Sequence, residues 1–138
     1  MMKSIDQQMF DALFIRAEKA LDGVADVYDT LPDLSAEYPF VVLGEIQVTP
    51  RQLKYITMGK MFVTIYVWGN SNDRRLVAGI SETLLEDFSR AMKLDTRKVK
   101  MIVSNSSKRI LEDTSLGSGN DKHTLWHGIL TCEFEILI

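Results

Sequence analysis

The amino-acid sequence predicts an α+β fold, an antiparallel sheet of about four strands with two amphipathic helices packed mainly on one face. Residues 5–21 and 76–88 carry apolar side chains at helical spacing, and several shorter runs alternate apolar and polar residues as half-buried strands do. The third observation is a long apolar stretch at 123–138, which orders only if neighbouring strands hold it. With 138 residues and 46% hydrophobic content, one respectable core can form, so 1–138 is expected to be a single domain.

The first helix is signalled by Ser4 followed by Gln7, a capping-box spacing. Ile5, Met9, Leu13, Ala17 and Leu21, with Phe10 and Phe14 beside them, form its core stripe. DTLPDLSAE, residues 29–37, reads as an acidic loop with a proline. YPFVVLGEIQV, residues 38–48, is rich in strand formers, and Gly44 predicts a bulge or a close backbone approach. TPRQLKYITMGK, residues 49–60, has three basic residues and no acid, and is expected to be the loop linking that strand to the next. In MFVTIYVWG, Met61, Val63, Ile65 and Val67 fall on one face and Phe62, Thr64, Tyr66 and Trp68 on the other, and both faces are unsuited to water. The turn GNSND precedes a second helix capped by Asn72 or Asp73, with Leu76, Ile80, Leu84 and Phe88 buried and Glu86 placed to pair with Arg90 outside. KVKMIVS alternates as a short strand and KRILED reads as another, whereas TSLGSGNDK, residues 114–122, is a glycine- and serine-rich loop.

Residues 123–138, HTLWHGILTCEFEILI, hold both histidines, the only cysteine, a tryptophan and two glutamates, which raises the question of an active site. On a strand, Trp126, Gly128, Leu130, Cys132, Phe134, Ile136 and Ile138 share one face, and Leu125, His127, Ile129, Thr131, Glu133, Glu135 and Leu137 share the other. Cys132 and His127 therefore point apart, which removes a thiol–imidazole pair and leaves Cys132 a small core residue. His123 and His127 have a spacing that binds metal on a helix, but on a strand they stand about 13 Å apart, so no metal site is expected. Glu133 and Glu135, about 7 Å apart on one face, are expected to be a solvated or interface-facing pair. Gly117 and Gly119 make a lone GxG that precedes a strand rather than a helix, so no phosphate-binding cofactor is implied.

The net charge of −3 is unevenly distributed: residues 1–50 carry nine acids against three basic residues, whereas 93–109 carries six basic residues against one acid. The basic run lacks interleaved aromatics and the whole chain is acidic, which argues against nucleic acid as a specific ligand. Head-to-tail association, basic part of one copy against acidic part of another, is consistent with the same asymmetry. No run is apolar for the length of a membrane span, and the first residues carry acids and glutamines where a signal peptide needs an unbroken apolar segment. A single cysteine fits a reducing compartment, so the cytosol is the expected site of synthesis and residence.

In order along the chain, an N-terminal helix, YPFVVLGE, a loop, FVTIYVWGN, the helix LVAGISETLLEDF, a second loop and WHGILTCEFEI resemble the tail-completion or head-to-tail joining proteins of long-tailed bacteriophages, relatives in architecture of phage tail terminators. The resemblance covers most of the chain, from about Tyr38 to the end with the helix in front, and none of its motifs is a catalytic signature. It implies a virion structural protein that forms a ring, typically a hexamer, capping the tail tube and meeting the head connector. Assembly in the bacterial cytoplasm and residence at the head–tail junction follow from it, with the protein itself, the tail-tube protein and the head connector protein as partners. On that basis Arg51, Lys54, Tyr55 and Lys60 in the basic loop, and Gly117, Ser118, Gly119, Asn120, Asp121 and Lys122 in the second, are the candidate interface residues. The competing expectation is a small-ligand-binding or enzymatic α+β domain, with His127, Glu133 and Glu135 around a pocket completed from elsewhere.

Overall fold

The computed structural model describes residues 3–33, 35–53, 56–113 and 124–137, with side chains omitted for 50–53 and 56–58. Ser4 Oγ accepts a hydrogen bond from the Gln7 amide at 3.3 Å and opens helix α1, Ile5–Ala20, as the capping pattern predicts. There follow strands β1 (Asp26–Tyr28), β2 (Phe40–Leu53) and β3 (Ile56–Gly69), then helix α2 (Arg74–Phe88). Strands β4 (Met92–Lys93) and β5 (Lys98–Met101), a 3-10 turn at Val103–Asn105, β6 (Ser107–Asp113) and β7 (Leu125–Leu137) complete the order.

The α+β class and the two helices agree with the sequence, but the sheet is larger than expected and is mixed. It has seven strands in the order β1-β2-β3-β7-β5-β4, with β6 also paired to β7. The β1–β2 pair is parallel and the remaining pairs are antiparallel. Strands β1 and β4, of three and two residues, are too short to show alternation, and β1 lies in a stretch whose acids resemble a loop. The expected loop at 49–60 is also corrected: β2 and β3 continue through Thr49↔Lys60 to Leu53↔Ile56 as one long hairpin. Its end runs past the last described β3–β7 pair, Gly59↔Ile136. Pro50 is tolerated because, among the described residues, β2 has no partner on its outer side beyond Val42.

Burial follows the parity of the strands. Met61, Val63, Ile65 and Val67 are buried, as are their β7 neighbours Leu130, Cys132, Phe134 and Ile136. Against this face pack Met9, Leu13, Ala17 and Leu21 from the α1 segment and Val77, Ile80, Leu84 and Phe88 from α2. Leu76, expected in the buried stripe, is 39% exposed, and Val77 takes its place one step around the helix. Close approach explains the shift. A Cβ on Gly128 would stand 2.7 Å from Ser81 Oγ and 3.1 Å from a Val77 methyl, so the bare backbone there admits α2. Ser81 meets its own polar need within α2, donating to the Val77 carbonyl at 2.8 Å.

The helices are tied to each other by Arg16, whose guanidinium donates to the Asp87 carboxylate at 2.8 Å and to the Asp87 carbonyl at 2.6 Å, near the end of α2. The expected Glu86–Arg90 pair is not among the ion pairs of the described residues, which are Lys3–Asp11, Arg16–Asp87 and Lys108–Glu82. Asp73 precedes α2 as anticipated, but its carboxylate accepts from the Asn70 amide and shapes the turn instead of capping the helix. Trp126 Nε1 donates to the Ser71 carbonyl at 3.0 Å and fixes that turn to β7.

Gly44 meets both of its sequence expectations. The β2–β3 register shifts between Leu43 and Ile46, and a Cβ on Gly44 would lie 2.6 Å from the Tyr66 ring and 2.7 Å from the Thr64 carbonyl oxygen. Because that oxygen belongs to the ladder, Gly44→Ala is expected to cost about 1–3 kcal/mol. Gly79, exposed in α2 with no atom within 4 Å of an added Cβ, is the opposite case. Gly79→Ala is expected to stabilise by about 0.5–1 kcal/mol, and urea denaturation of the two variants measures both signs.

Candidate functional site

The chemistry-bearing residues of β7 are separated by the strand that carries them. His127 and Glu133 lie on the same face, six positions apart, which is about 20 Å at roughly 3.3 Å per residue. They do not converge on a substrate. His127 sits opposite Trp68 with ring centroids 3.7 Å apart and planes inclined by 11°, and Tyr66 stacks at 5.5 Å on the same imidazole. Its buried Nε2 has no hydrogen-bond partner among the described residues. Burial pushes its pKa below the ordinary value, with the negative charge of Asp113 acting in the opposite sense. Tyr66 in turn donates to both oxygens of the Glu45 carboxylate, at 3.0 and 3.1 Å, and burial together with that carboxylate raises its pKa.

Glu133 departs from the expected solvated pair. It is only 8% exposed, and Asn105 Nδ2 donates to its carboxylate at 2.6 Å. The Glu133 backbone donates to Ser106 Oγ at 3.1 Å, and its carbonyl accepts from the Ile102 amide at 2.7 Å. The carboxylate thus fastens the 3-10 turn to β7, a use that depends on residues 28 positions upstream and leaves no local signal. Glu135 remains exposed, with Lys60 as its cross-strand neighbour on β3 and Lys100 on β5. Cys132 is fully buried and burial pushes its thiol up to about 12, which suits the core role expected of it. Among the described residues no three side chains of metal-ligating type come together.

Of the candidate interface residues, Arg51 lies in β2 opposite Met58, and Lys60 is exposed on β3 between Thr49 and Glu135. Lys54, Tyr55, Gly117, Ser118, Gly119, Asn120, Asp121 and Lys122 lie outside the described residues, as does His123. Sequence reasoning missed an apolar groove between the end of α1 and α2, about 450 Å³ in volume, where Val24 and Leu76 are exposed beside Ala20 and Ile80. It also missed how the charges sort in space: the acids at 22–37 gather around β1 and the basic residues at 93–100 around β4 and β5, the two ends of the strand order. Placing those segments required the sheet order, which neither segment encodes.

The sequence matches the family model described as tail completion protein gp17 over residues 7–132. Among solved structures, the fold is similar to a chain in the virion of a native gene transfer agent particle, with a TM-score of 0.58 and 13% identity, covering 96% of this chain and 91% of that one. It is also similar to the gp17 protein of bacteriophage SPP1, with a TM-score of 0.50 and 19% identity over the same shares of each chain, 96% and 91%. At these identities the likeness is one of fold. None of the curated proteins matches.

The stacked imidazole gives a signed pH prediction. A histidine whose folded pKa lies below its unfolded value of about 6.5 adds stability that is fully present above that pH and is lost as pH falls toward the folded pKa. Replacing His127 with Phe keeps a flat ring and removes the titration. Urea midpoints between about pH 7 and pH 5 are therefore expected to fall more steeply for the wild type than for His127→Phe. In the same samples, an aromatic disulfide reagent is expected to label Cys132 only in urea, because the folded thiol is both buried and protonated.

Proposed function

Because the chain belongs to the family of tail completion protein gp17, structural components of phage virions, we propose that it completes the tail and joins it to the head connector as one subunit of a ring. The observation that carries this reading, within that family, is the β2–β3 hairpin. Its ladder continues from Gly59 to Ile56 beyond the last described β3–β7 pair, an arm of about 10 Å at roughly 3.3 Å per residue. An arm of paired backbone reaching past its described sheet neighbours suits contact with a neighbouring copy or with the tube end, and Arg51 and Lys60 lie along it. A ring forms when one heterologous contact repeats with a rotation that closes, and six copies is the closure expected for this family. The partners are then copies of the chain, the tail-tube protein and the head connector, met at the head–tail junction after synthesis in the bacterial cytoplasm. The role is structural and not catalytic on this reading, which the separation of His127 from Glu133 supports.

Molar mass by light scattering, over a concentration series and then with purified tail-tube protein added, tests the assignment. A closed oligomer alone or on addition of tube protein is the expected result, and Arg51→Glu with Lys60→Glu is expected to weaken the tube-dependent step by roughly tenfold or more. A chain that stays monomeric and ignores tube protein overturns it.

A further inference from the structure

The sheet has an acidic end and a basic end. Between α1 and β2, residues 22–37 contain five acids and no basic residue. Asp22, Asp26, Asp29, Asp33 and Glu37 are all exposed, and none takes part in an ion pair among the described residues. Asp26 lies in β1, the terminal strand on one side, Asp22 and Asp29 flank that strand in the chain, and Glu37 lines a shallow pocket with Asp26. At the other side, residues 93–100 carry four basic residues against one acid. Lys93 on β4 and Lys98 on β5 are direct cross-strand partners, both exposed. Like charges directly opposite each other destabilise a ladder, and neither lysine is in an ion pair among the described residues. Asp95, the one acid of that stretch, acts on the ammonium of Lys3. Lys100 faces Glu135 across the β5–β7 ladder, but Lys93 and Lys98 are positive charges that no ion pair among the described residues compensates.

The two ends are held at a fixed separation. Gln8 Oε1 in the first turn of α1 accepts from the amide and hydroxyl of Thr96, both at 3.2 Å, in the β4–β5 turn. The far end of α1 leads into β1. A helix of 16 residues therefore bridges the sheet from basic to acidic end, about 24 Å at 1.5 Å per residue. Five strand spacings of about 4.8 Å give the same span of about 24 Å. Complementary surfaces at opposite ends of one rigid body define a heterologous contact, the kind that repeats from copy to copy.

We propose that the basic β4–β5 end of one copy, centred on Lys93 and Lys98, docks against the acidic 22–37 segment around β1 of the next copy. The occupant of each surface is a second copy of this chain, and the contact is the ring interface, so the inference rests on the ring reading above. Charge complementarity selects the partner. Two basic ends repel, as do two acidic ends, so back-to-back pairing is disfavoured and the head-to-tail arrangement remains.

A charge swap tests it. One variant carries Asp22→Lys, Asp26→Lys and Asp29→Lys, which leaves two acids against three lysines in 22–37, so that both ends are basic; the other carries Lys93→Glu and Lys98→Glu, so that both are acidic. Sedimentation velocity at low salt, with tail-tube protein present if the wild type requires it, is expected to show each variant associating at least tenfold more weakly than wild type. A one-to-one mixture is expected to recover association by alternating the two, and the recovery is expected to fade as salt is raised. Circular dichroism melts on each variant check that the fold is retained, and recovery in the mixture itself excludes misfolding as the cause of the loss. If wild type assembles and both variants assemble alone as well as it does, the charged ends serve only to keep edges apart; the docking is then overturned while the ring reading stands. If each variant is weakened but the mixture fails to recover, the two surfaces do not meet and the docking is likewise overturned. A wild type that never assembles, alone or with tube protein, overturns both.

Discussion

The fold depends on β7. One edge of this strand is fully engaged by β3, from Gly59↔Ile136 to Gly69↔Trp126, and the other is divided between β5 and β6. Each neighbour inherits its facing from β7, because a strand's side chains alternate and a slip of one position reverses them all. The core side of β7 has to be apolar where helices lie over it and bare where α2 comes closest. Leu130, Cys132, Phe134 and Ile136 satisfy the first demand and Gly128 the second. With one face closed to polar groups, every histidine and carboxylate of the described strand falls on the face away from the helices.

That constraint accounts for what the sequence disclosed. Wherever a segment buries one face against a helix, alternation shows it: the sorting of Met61, Val63, Ile65 and Val67, and of Leu130, Cys132, Phe134 and Ile136, onto one face each is matched by their burial. The stripe of α1 is equally plain, since its buried apolar residues, Met9, Leu13 and Ala17, repeat every fourth position. Where burial is absent or distributed, the signal vanishes. Strand β1, three residues long, is held by its neighbour and shows no pattern of its own. The exchange of Leu76 for Val77 was hidden for another reason: it is set by how deeply α2 settles over Gly128, and Gly128 is 51 positions away.

Site residues follow the same logic. Parity alone separated Cys132 from His127 and predicted the buried thiol. Parity also placed Glu133 on the outer face, which is correct, but an outer position on a strand says nothing of what folds over it. The 3-10 turn closes on Glu133 through Asn105, Ser106 and Ile102, and converts a would-be surface acid into a fastening. Family membership points toward contacts with other virion parts.

The register of the sheet also has a mechanical meaning. In the β2–β3–β7 block the ladder bonds run across the strands, so tension applied along the strand axis loads many of them together in shear. Tension applied across the strands opens them one after another, as a zip does. Strands β1 and β4, held by three and two registered pairs, are the first to yield to such peeling. Forced rupture is governed by the rate of unfolding and not by equilibrium stability. A virion part that carries load along β3 is therefore stiff and strong, whereas one loaded through its outer strands is compliant there while its core stays intact.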